Sequence, residues 1–264
     1  MTVVVAGGTG FIGRRVVSAL INAGHKVVIL SRSAEKASQF DASKVTFRLW
    51  DPDSPTLPLN HINGADAVIN LCGSSLISKH VLTSRLRATR RLVETIQKVN
   101  VKPKTLINAS AIGYYNGGFL GDVCKQWEGA ASLAQSLGVR VAYARFGIIF
   151  GKNGGALKAM RRLNGRQSVS WIHVDDAAQA ILFILKTPSI SGPIDVTSPN
   201  PVSMDVLHRG PKWLRIPPLV LRAVLGEAAG ALIEGSQVLP EKLIQAGFSF
   251  QYPDLDSALK EIES

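Results

Sequence analysis

Glycines recur at a fixed spacing near the start of the chain. The run Val3-Val4-Val5-Ala6-Gly7-Gly8-Thr9-Gly10-Phe11-Ile12-Gly13-Arg14-Arg15 satisfies both Gly7-x-x-Gly10-x-x-Gly13 and Gly8-x-Gly10-x-x-Gly13. Glycines allow a tight turn and close backbone approach, and the N-terminus of a following helix offers N–H groups and positive potential to a pyrophosphate. The loop follows a short apolar run directly, and Val16, Val17, Leu20 and Ile21 then fall on one helical face. Gly7, Thr9, Gly10, Phe11, Ile12 and Gly13 are therefore expected to hold a dinucleotide.

The end of the second strand chooses between cofactors. An acidic residue there would hydrogen-bond the ribose hydroxyls of NAD. This chain reads Ile29-Leu30-Ser31-Arg32-Ser33 instead. Ser31, Arg32 and Ser33 can bind a 2′-phosphate, with Arg32 as the cationic fork and Arg14 and Arg15 close in sequence. NADP is the expected cofactor. Asp51, after the third strand, is expected at the adenine edge.

The elements that must position these residues alternate. Thr2–Ala6, Lys26–Leu30, Val45–Leu49, Asp66–Leu71, Lys104–Ala109 and Val139–Arg145 read as strands, and helical patterns cover Phe11–Ala23, a basic stretch within Lys79–Lys104, and Asp122–Leu137. Such alternation predicts an α/β fold, a Rossmann-type doubly wound parallel sheet. Residues 1–150 form the expected NAD(P)-binding domain, its sheet completed by parts of 166–198. Residues 151–264 form a smaller substrate-side region, mainly helical from 199. Within it a helix is expected at Val174–Lys186, a strand at Ile194–Thr197, and helices at Leu219–Leu225 and Leu255–Ile262.

Composition narrows the class. Of 264 residues, 46% are hydrophobic and 19% charged, which suits a folded chain with a sizeable core. No window reaches the ~18 uninterrupted apolar residues of a membrane span, so no membrane partner is expected. Cys72 and Cys124 read as reduced thiols, with no secretory segment ahead of them. The expected compartment is cytoplasmic, or an organelle stroma or matrix where a transit peptide has been removed. The net charge is +11. In the basic stretch Leu82, Leu86, Thr89, Val93 and Ile96 recur at helical spacing, which leaves Arg85, Arg87, Arg90 and Arg91 largely on a solvated face. No nucleic-acid partner is expected, since interleaved aromatics and metal-ligand spacing are lacking; no metal site is expected either.

With GGTGFIG, "NLCG" at Asn70–Gly73, "SAIGYY" at Ser110–Tyr115, "RFGIIFG" at Arg145–Gly151 and "WIHVDDAA" at Trp171–Ala178, the chain resembles the extended short-chain dehydrogenase/reductases. More narrowly it resembles their atypical epimerase-family proteins, a nucleoside-diphosphate-sugar epimerase subgroup with its own C-terminal domain, here Pro217–Ile262. The resemblance implies a cofactor held also by Leu71, Cys72 and Gly73, an active-site serine at Ser110, and a His173–Asp176 segment that ties the C-terminal region in place.

One part of that family pattern is broken. Extended reductases use a Tyr-x-x-x-Lys pair, whose lysine activates the tyrosine for proton exchange with a substrate hydroxyl. Aligning Glu128 with the family's glutamate places Leu120 and Cys124 where tyrosine and lysine belong; sliding by one offers Lys125, with Gly121 as its partner. Ser110 with Tyr114 is the expected substitute. The chain also reads short near His80–Val81, Asn116–Phe119, Leu163–Gly165 and Arg209–Gly210, where connecting residues of the family pattern are missing. The expected function is an NADP(H)-binding epimerase or oxidoreductase acting on a sugar-nucleotide-like or other hydroxyl or carbonyl substrate. The alternative is a catalytically silent NADP(H)-binding sensor or scaffold. A monomer or weak homodimer is expected.

Overall fold

A computed structural model describes residues 1–33, 40–41, 43–74, 78, 80–162, 165–207 and 237–264. The expected helix at Leu219–Leu225 and the junction at Arg209–Gly210 lie outside the described residues. Strands β1 (Thr2–Ala6), β2 (Lys26–Ser31), β3 (Val45–Leu49), β4 (Ala67–Asn70), β5 (Thr105–Ala111) and β6 (Arg140–Phe146) agree with the expected ones to within two residues at either end. Helices α1 (Phe11–Asn22), α2 (Leu59–Ile62), α3 (Val81–Lys98) and α4 (Gly118–Ser132) lie between them. Further along come β7 (Ile148–Gly151), β8 (Gly154–Gly155), α5 (Leu157–Met160), β9 (Ser168–Val169), β10 (Trp171–His173), α6 (Val174–Lys186), β11 (Gly192–Val196), β12 (Val202–Ser203) and α7 (Met204–Leu207). The helices Glu241–Gln245 and Leu255–Glu263 close the chain.

The central sheet has seven strands in the order β11-β6-β5-β4-β1-β2-β3. β1 pairs in parallel with β2 and β4, so the strand order reverses beside β1, with Val5 opposite Ile29 on one side and Ile69 on the other. Ligands of open α/β sheets bind at the carboxyl ends of strands at such a reversal. Val3, Val4, Val5 and Ala6 are all fully buried, as are Val68 and Ile69 of β4, because helices cover a parallel sheet on both faces.

The chain divides into two compact units. The first comprises Met1–Ser110, Lys125–Ala144 and Ala178–Pro193; the second, Ala111–Cys124, Arg145–Ala177 and Ile194–Ser264. In the first, Leu92 and Ile96 of α3 pack with Val4, Val68 and Leu106 of the sheet, while Ala131 and Val141 extend the same core. The opposite face of α3 carries exposed Arg87 and Arg90. Arg87 pairs with Asp53, and Lys98 with Glu94 at 2.7 Å, surface pairs of the kind that add little stability.

The second unit has its own core of Phe150, Leu157, Met160, Trp171, Met204, Leu255 and Leu259. Here β7 pairs in parallel with β10, and Phe150 stacks on Trp171 with ring centroids 5.5 Å apart. His173 is fully buried. Asp175 N donates to its Nδ1 at 3.3 Å, which leaves Nε2 to donate to Glu261 Oε2 at 2.9 Å. Its ring also packs on Tyr252. Asp176 accepts backbone N–H groups from Gln251 (2.7 Å) and Tyr252 (2.8 Å). The bonds to Glu261, Gln251 and Tyr252 hold the C-terminal segment within its unit, and the local bond from Asp175 N occupies the other nitrogen of His173.

Candidate cofactor and hydroxyl site

Backbone geometry explains each glycine of the opening loop that matters. Gly7 has φ +80°, and a Cβ there would lie 2.9 Å from the carbonyl carbon and oxygen of Leu71. A Cβ on Gly13 would lie 2.2 Å from Gly7 O and 2.8 Å from Gly8 Cα. The turn is closed by Gly10 N donating to Gly7 O at 3.0 Å. α1 begins at Gly10 with no capping side chain and no acidic residue in its first turn, so the positive end of the helix is not neutralised locally. These residues fit a pyrophosphate: the backbone is packed too closely for side chains, and the helix start carries none that competes.

At the end of β2, Ser31 stands where an acid would discriminate for NAD. Its hydroxyl is hydrogen-bonded to Thr9 Oγ1 at 2.9 Å and accepts from Ser33 N at 3.4 Å, while its carbonyl accepts from Trp50 N. Strand end and glycine loop are thereby joined side chain to side chain. Arg32 is exposed, as are Arg14 and Arg15. Asp51 is exposed as well and accepts from Asp53 N at 3.0 Å.

The loop after β4 hangs on a buried amide. Asn70 Oδ1 accepts from Cys72 N at 3.1 Å, and Asn70 Nδ2 donates to Thr89 Oγ1 (2.8 Å) and Asn108 Oδ1 (2.7 Å). Trp127 Nε1 also donates to Thr89 Oγ1. Leu71, Cys72 and Gly73 are thus held against the glycine loop by a network reaching into α3, α4 and β5. Replacing Asn70 with Leu leaves the Cys72 N–H and Asn108 Oδ1 without this partner. We expect a loss of about 2 kcal/mol in urea unfolding, and an unchanged midpoint would contradict it.

Desolvation pushes the Cys72 thiol up to about 12, although the Arg32 charge pulls in the opposite direction. Cys124 is buried, and both cysteines are free thiols. The thiolate is the reactive form, so at about pH 8 the native protein is expected to show no fast-reacting thiol toward iodoacetamide, both becoming reactive in urea. One fast thiol in the folded protein would contradict this.

Ser110 lies within β5 and is 3% exposed; its Oγ donates to Glu128 Oε1 of α4 at 2.6 Å, and Glu128 is 7% exposed. The sequence had offered Glu128 only as a marker of alignment. Within the second unit, the ring of Tyr114 faces the buried Arg145 guanidinium, with Cζ 3.5 Å from the ring centroid, and Arg145 lies 4.9 Å from the centroid of Tyr115. Tyr115 Oη donates to the Asp195 carboxylate, its two oxygens lying 3.0 and 2.9 Å away. Burial is the first cause holding the Tyr115 phenol above its ordinary value. Leu120 and Cys124, at the tyrosine and lysine positions of the family pattern, are buried. Nothing in composition or spacing pointed to Glu128 as Ser110's partner or to Arg145; the first pair is 18 residues apart in the chain.

A glycine loop at the reversal point of a seven-stranded α/β sheet, with an uncapped helix start behind it, defines a dinucleotide-binding protein of Rossmann type. Residues 7–188 match the NAD(P)H-binding family, and residues 216–262 match a domain of unknown function, DUF1731. The chain belongs to the epimerase-family proteins. It is 38% identical to the Bacillus subtilis epimerase family protein YfhF over 302 aligned positions, covering 99% of this chain and 98% of that one. The chloroplastic SDR39U1 homologue of Arabidopsis thaliana is 36% identical, over 99% of this chain and 86% of that protein. Among solved structures, human SDR39U1 with NADPH superposes with a TM-score of 0.82 at 27% identity, covering 99% of both chains. A nucleoside-diphosphate sugar epimerase from Corynebacterium glutamicum superposes at 0.78 with 28% identity, over 99% of this chain and 58% of that one. The 302 aligned positions exceed the chain's 264 residues, so the YfhF alignment opens gaps within this chain. Among the described residues, no helix is long and apolar enough to cross a membrane.

Proposed function

We propose that the protein binds NADP(H) and exchanges a hydride with the carbinol carbon of a sugar-nucleotide-like or other hydroxyl or carbonyl substrate, as an epimerase or oxidoreductase. When bound, the nicotinamide supplies the hydride acceptor and donor. Gly7, Thr9, Gly10, Phe11, Ile12, Gly13, Leu71, Cys72 and Gly73 hold the dinucleotide. Arg32, with Ser31 and Ser33, takes the 2′-phosphate, and Asp51 meets the adenine edge. The NADPH complex of human SDR39U1 supports that choice of cofactor.

The observation that carries turnover is the Ser110–Glu128 bond. A hydroxyl that donates its hydrogen to a carboxylate keeps its own lone pairs to accept with. Such a group suits a substrate O–H, and Tyr114, whose ring lies against Arg145, is the other proposed catalytic residue. A second reading, an NADP(H)-binding sensor without turnover, is favoured by one specific observation: Leu120 and Cys124, which take the tyrosine and lysine positions when Glu128 is aligned with the family pattern's glutamate, are buried apolar residues.

One assay separates the two. Protein loaded with NADP+ is incubated with sugar nucleotides, UDP-glucose first, and NADPH absorbance and sugar configuration are followed. A hydride-transfer protein yields NADPH or an inverted sugar. Tight NADPH binding with neither product across the panel rejects turnover and leaves the sensor reading.

A further inference from the structure

In either register of the family pattern the tyrosine–lysine pair is incomplete, Leu120 with Cys124 or Gly121 with Lys125, and hydride transfer at a hydroxyl carbon still requires somewhere for the hydroxyl proton to go. Serine alone does not meet that need, since its hydroxyl is far too weak an acid or base near neutral pH to keep a proton or to stay without one. Ser110, however, is bonded at 2.6 Å to a carboxylate that is itself almost wholly enclosed. Residues 120, 124 and 128 stand at successive i, i+4 positions of α4. On the helix face that carries a tyrosine–lysine pair in the family pattern, the pair is gone here and the pattern's glutamate, Glu128, remains one turn further along.

We propose that Glu128 is the proton acceptor of the site, reached through Ser110. The inference rests on the hydride-transfer reading above. In the oxidative direction the substrate O–H bond breaks and its proton moves to Ser110 Oγ, while the proton of Ser110 moves to Glu128 Oε1. The C–H electron pair leaves as hydride to the oxidised nicotinamide dinucleotide, and the C–O bond becomes C=O. Serine ends unchanged, Glu128 ends as a carboxylic acid, and the dinucleotide is reduced. The polarity of the chain reverses with the proton. Ionised Glu128 makes Ser110 an acceptor for an alcohol; protonated Glu128 donates to Ser110, which then donates to a ketone. Enclosure serves the same end: a proton held out of water remains available for return to the same oxygen.

The test uses UDP-glucose with NADP+ and 9,10-phenanthrenequinone with NADPH as probes, on wild-type protein and on Glu128→Gln, Glu128→Asp, Ser110→Ala and Tyr114→Phe. Glu128→Gln is expected to lower kcat by about 100-fold or more, the usual span of a lost proton-transfer group. NADPH affinity by fluorescence titration and Tm should stay as in wild type. Glu128→Asp recovers part of the rate, and Ser110→Ala combined with Glu128→Gln is no slower than either alone, because the two act as a unit. Infrared difference spectra add a readout other than rate. A carboxylic-acid C=O band should appear on reduction of NADP+ in wild type, be missing in Glu128→Gln and shift in Glu128→Asp. Should Glu128→Gln fail to fold, Ser110→Ala breaks the same link with the carboxylate in place and carries the same rate expectation. Wild-type kcat in Glu128→Gln, absence of the infrared band in wild type, or loss of rate in Tyr114→Phe alone overturns the role of Glu128 and leaves the hydride-transfer reading standing. Failure of wild-type protein to exchange hydride with either probe overturns both.

Discussion

Gly13→Ala is expected to abolish measurable NADPH binding, whereas Gly24→Ala is expected to leave it intact, although both place a methyl group on a glycine of the same βαβ unit. At Gly13 the new Cβ meets backbone on two sides, Gly7 O at 2.2 Å and Gly8 Cα at 2.8 Å. No flexible side chain can give way. Gly7 is itself fixed, since its amide donates to Leu30 O at 3.1 Å and its own Cα has Leu71 backbone packed against it. The loop must therefore open, and the close backbone approach that a pyrophosphate needs is lost with it. We expect the NADPH dissociation constant to rise by more than about 100-fold, equivalent to roughly 2.7 kcal/mol. Forcing a methyl into packed backbone adds a stability loss of about 1–3 kcal/mol without cofactor. Gly24 has φ +78° and nothing within 4 Å of its virtual Cβ. Its alanine variant bears only the left-handed backbone strain, about 1–2 kcal/mol, and keeps wild-type NADPH affinity. Thermal unfolding with and without NADPH reads both effects: wild type and Gly24→Ala gain Tm from the ligand, Gly13→Ala does not. A Gly13→Ala protein that binds NADPH like wild type would remove the glycine loop from the cofactor site.

The contrast between the two glycines also marks what the chain discloses about itself. Local features are written locally. Val3–Ala6 is apolar on both faces because β1 is central in a parallel sheet, and the glycines follow at once because the next helix must start there. The same holds for the amphipathic spacing of α3. Boundaries shift where a single residue decides them. The helix expected over Asp122–Leu137 runs instead as α4 to Ser132 and then as a separate 3₁₀ turn, Gln135–Leu137, which stops at Gly138 with φ +79°. Periodicity cannot show such a break, since Ala131 and Ala134 on either side of it are both buried. The small sheet of the second unit was legible only as motifs, because β7 and β10 pair across nineteen residues of intervening chain. Least visible were the partners of site residues. Ser110 was marked by the family resemblance, but Glu128 becomes its partner only when α4 packs on β5, and Arg145 reaches the Tyr114 ring from β6. Residue types at fixed spacing reveal backbone-made sites; sites assembled from side chains on different elements require the fold.

Arg32→Ala is expected to separate the two nicotinamide cofactors. The side chain is exposed at the end of β2, directly after Ser31, whose hydroxyl bonds to Thr9 of the glycine loop. A guanidinium there can engage a phosphate through charge-assisted hydrogen bonds worth about 1.5–3 kcal/mol. Removing it should raise the NADPH dissociation constant by about 10- to 100-fold, while NADH, which lacks the 2′-phosphate, binds as before. The salt dependence of NADPH binding should weaken in parallel, because an exposed ion pair is the part that salt screens. Ser31→Asp is the converse change. It sets a carboxylate where ribose hydroxyls are recognised, next to Thr9, and repels a 2′-phosphate, so NADH affinity should rise as NADPH affinity falls. Fluorescence titration of each variant with both cofactors decides among three arrangements. Loss confined to NADPH fixes Arg32 on the 2′-phosphate. Equal loss for both cofactors moves Arg32 onto the part of the dinucleotide they share, and no loss for either transfers the phosphate to Arg14 or Arg15 at the start of α1.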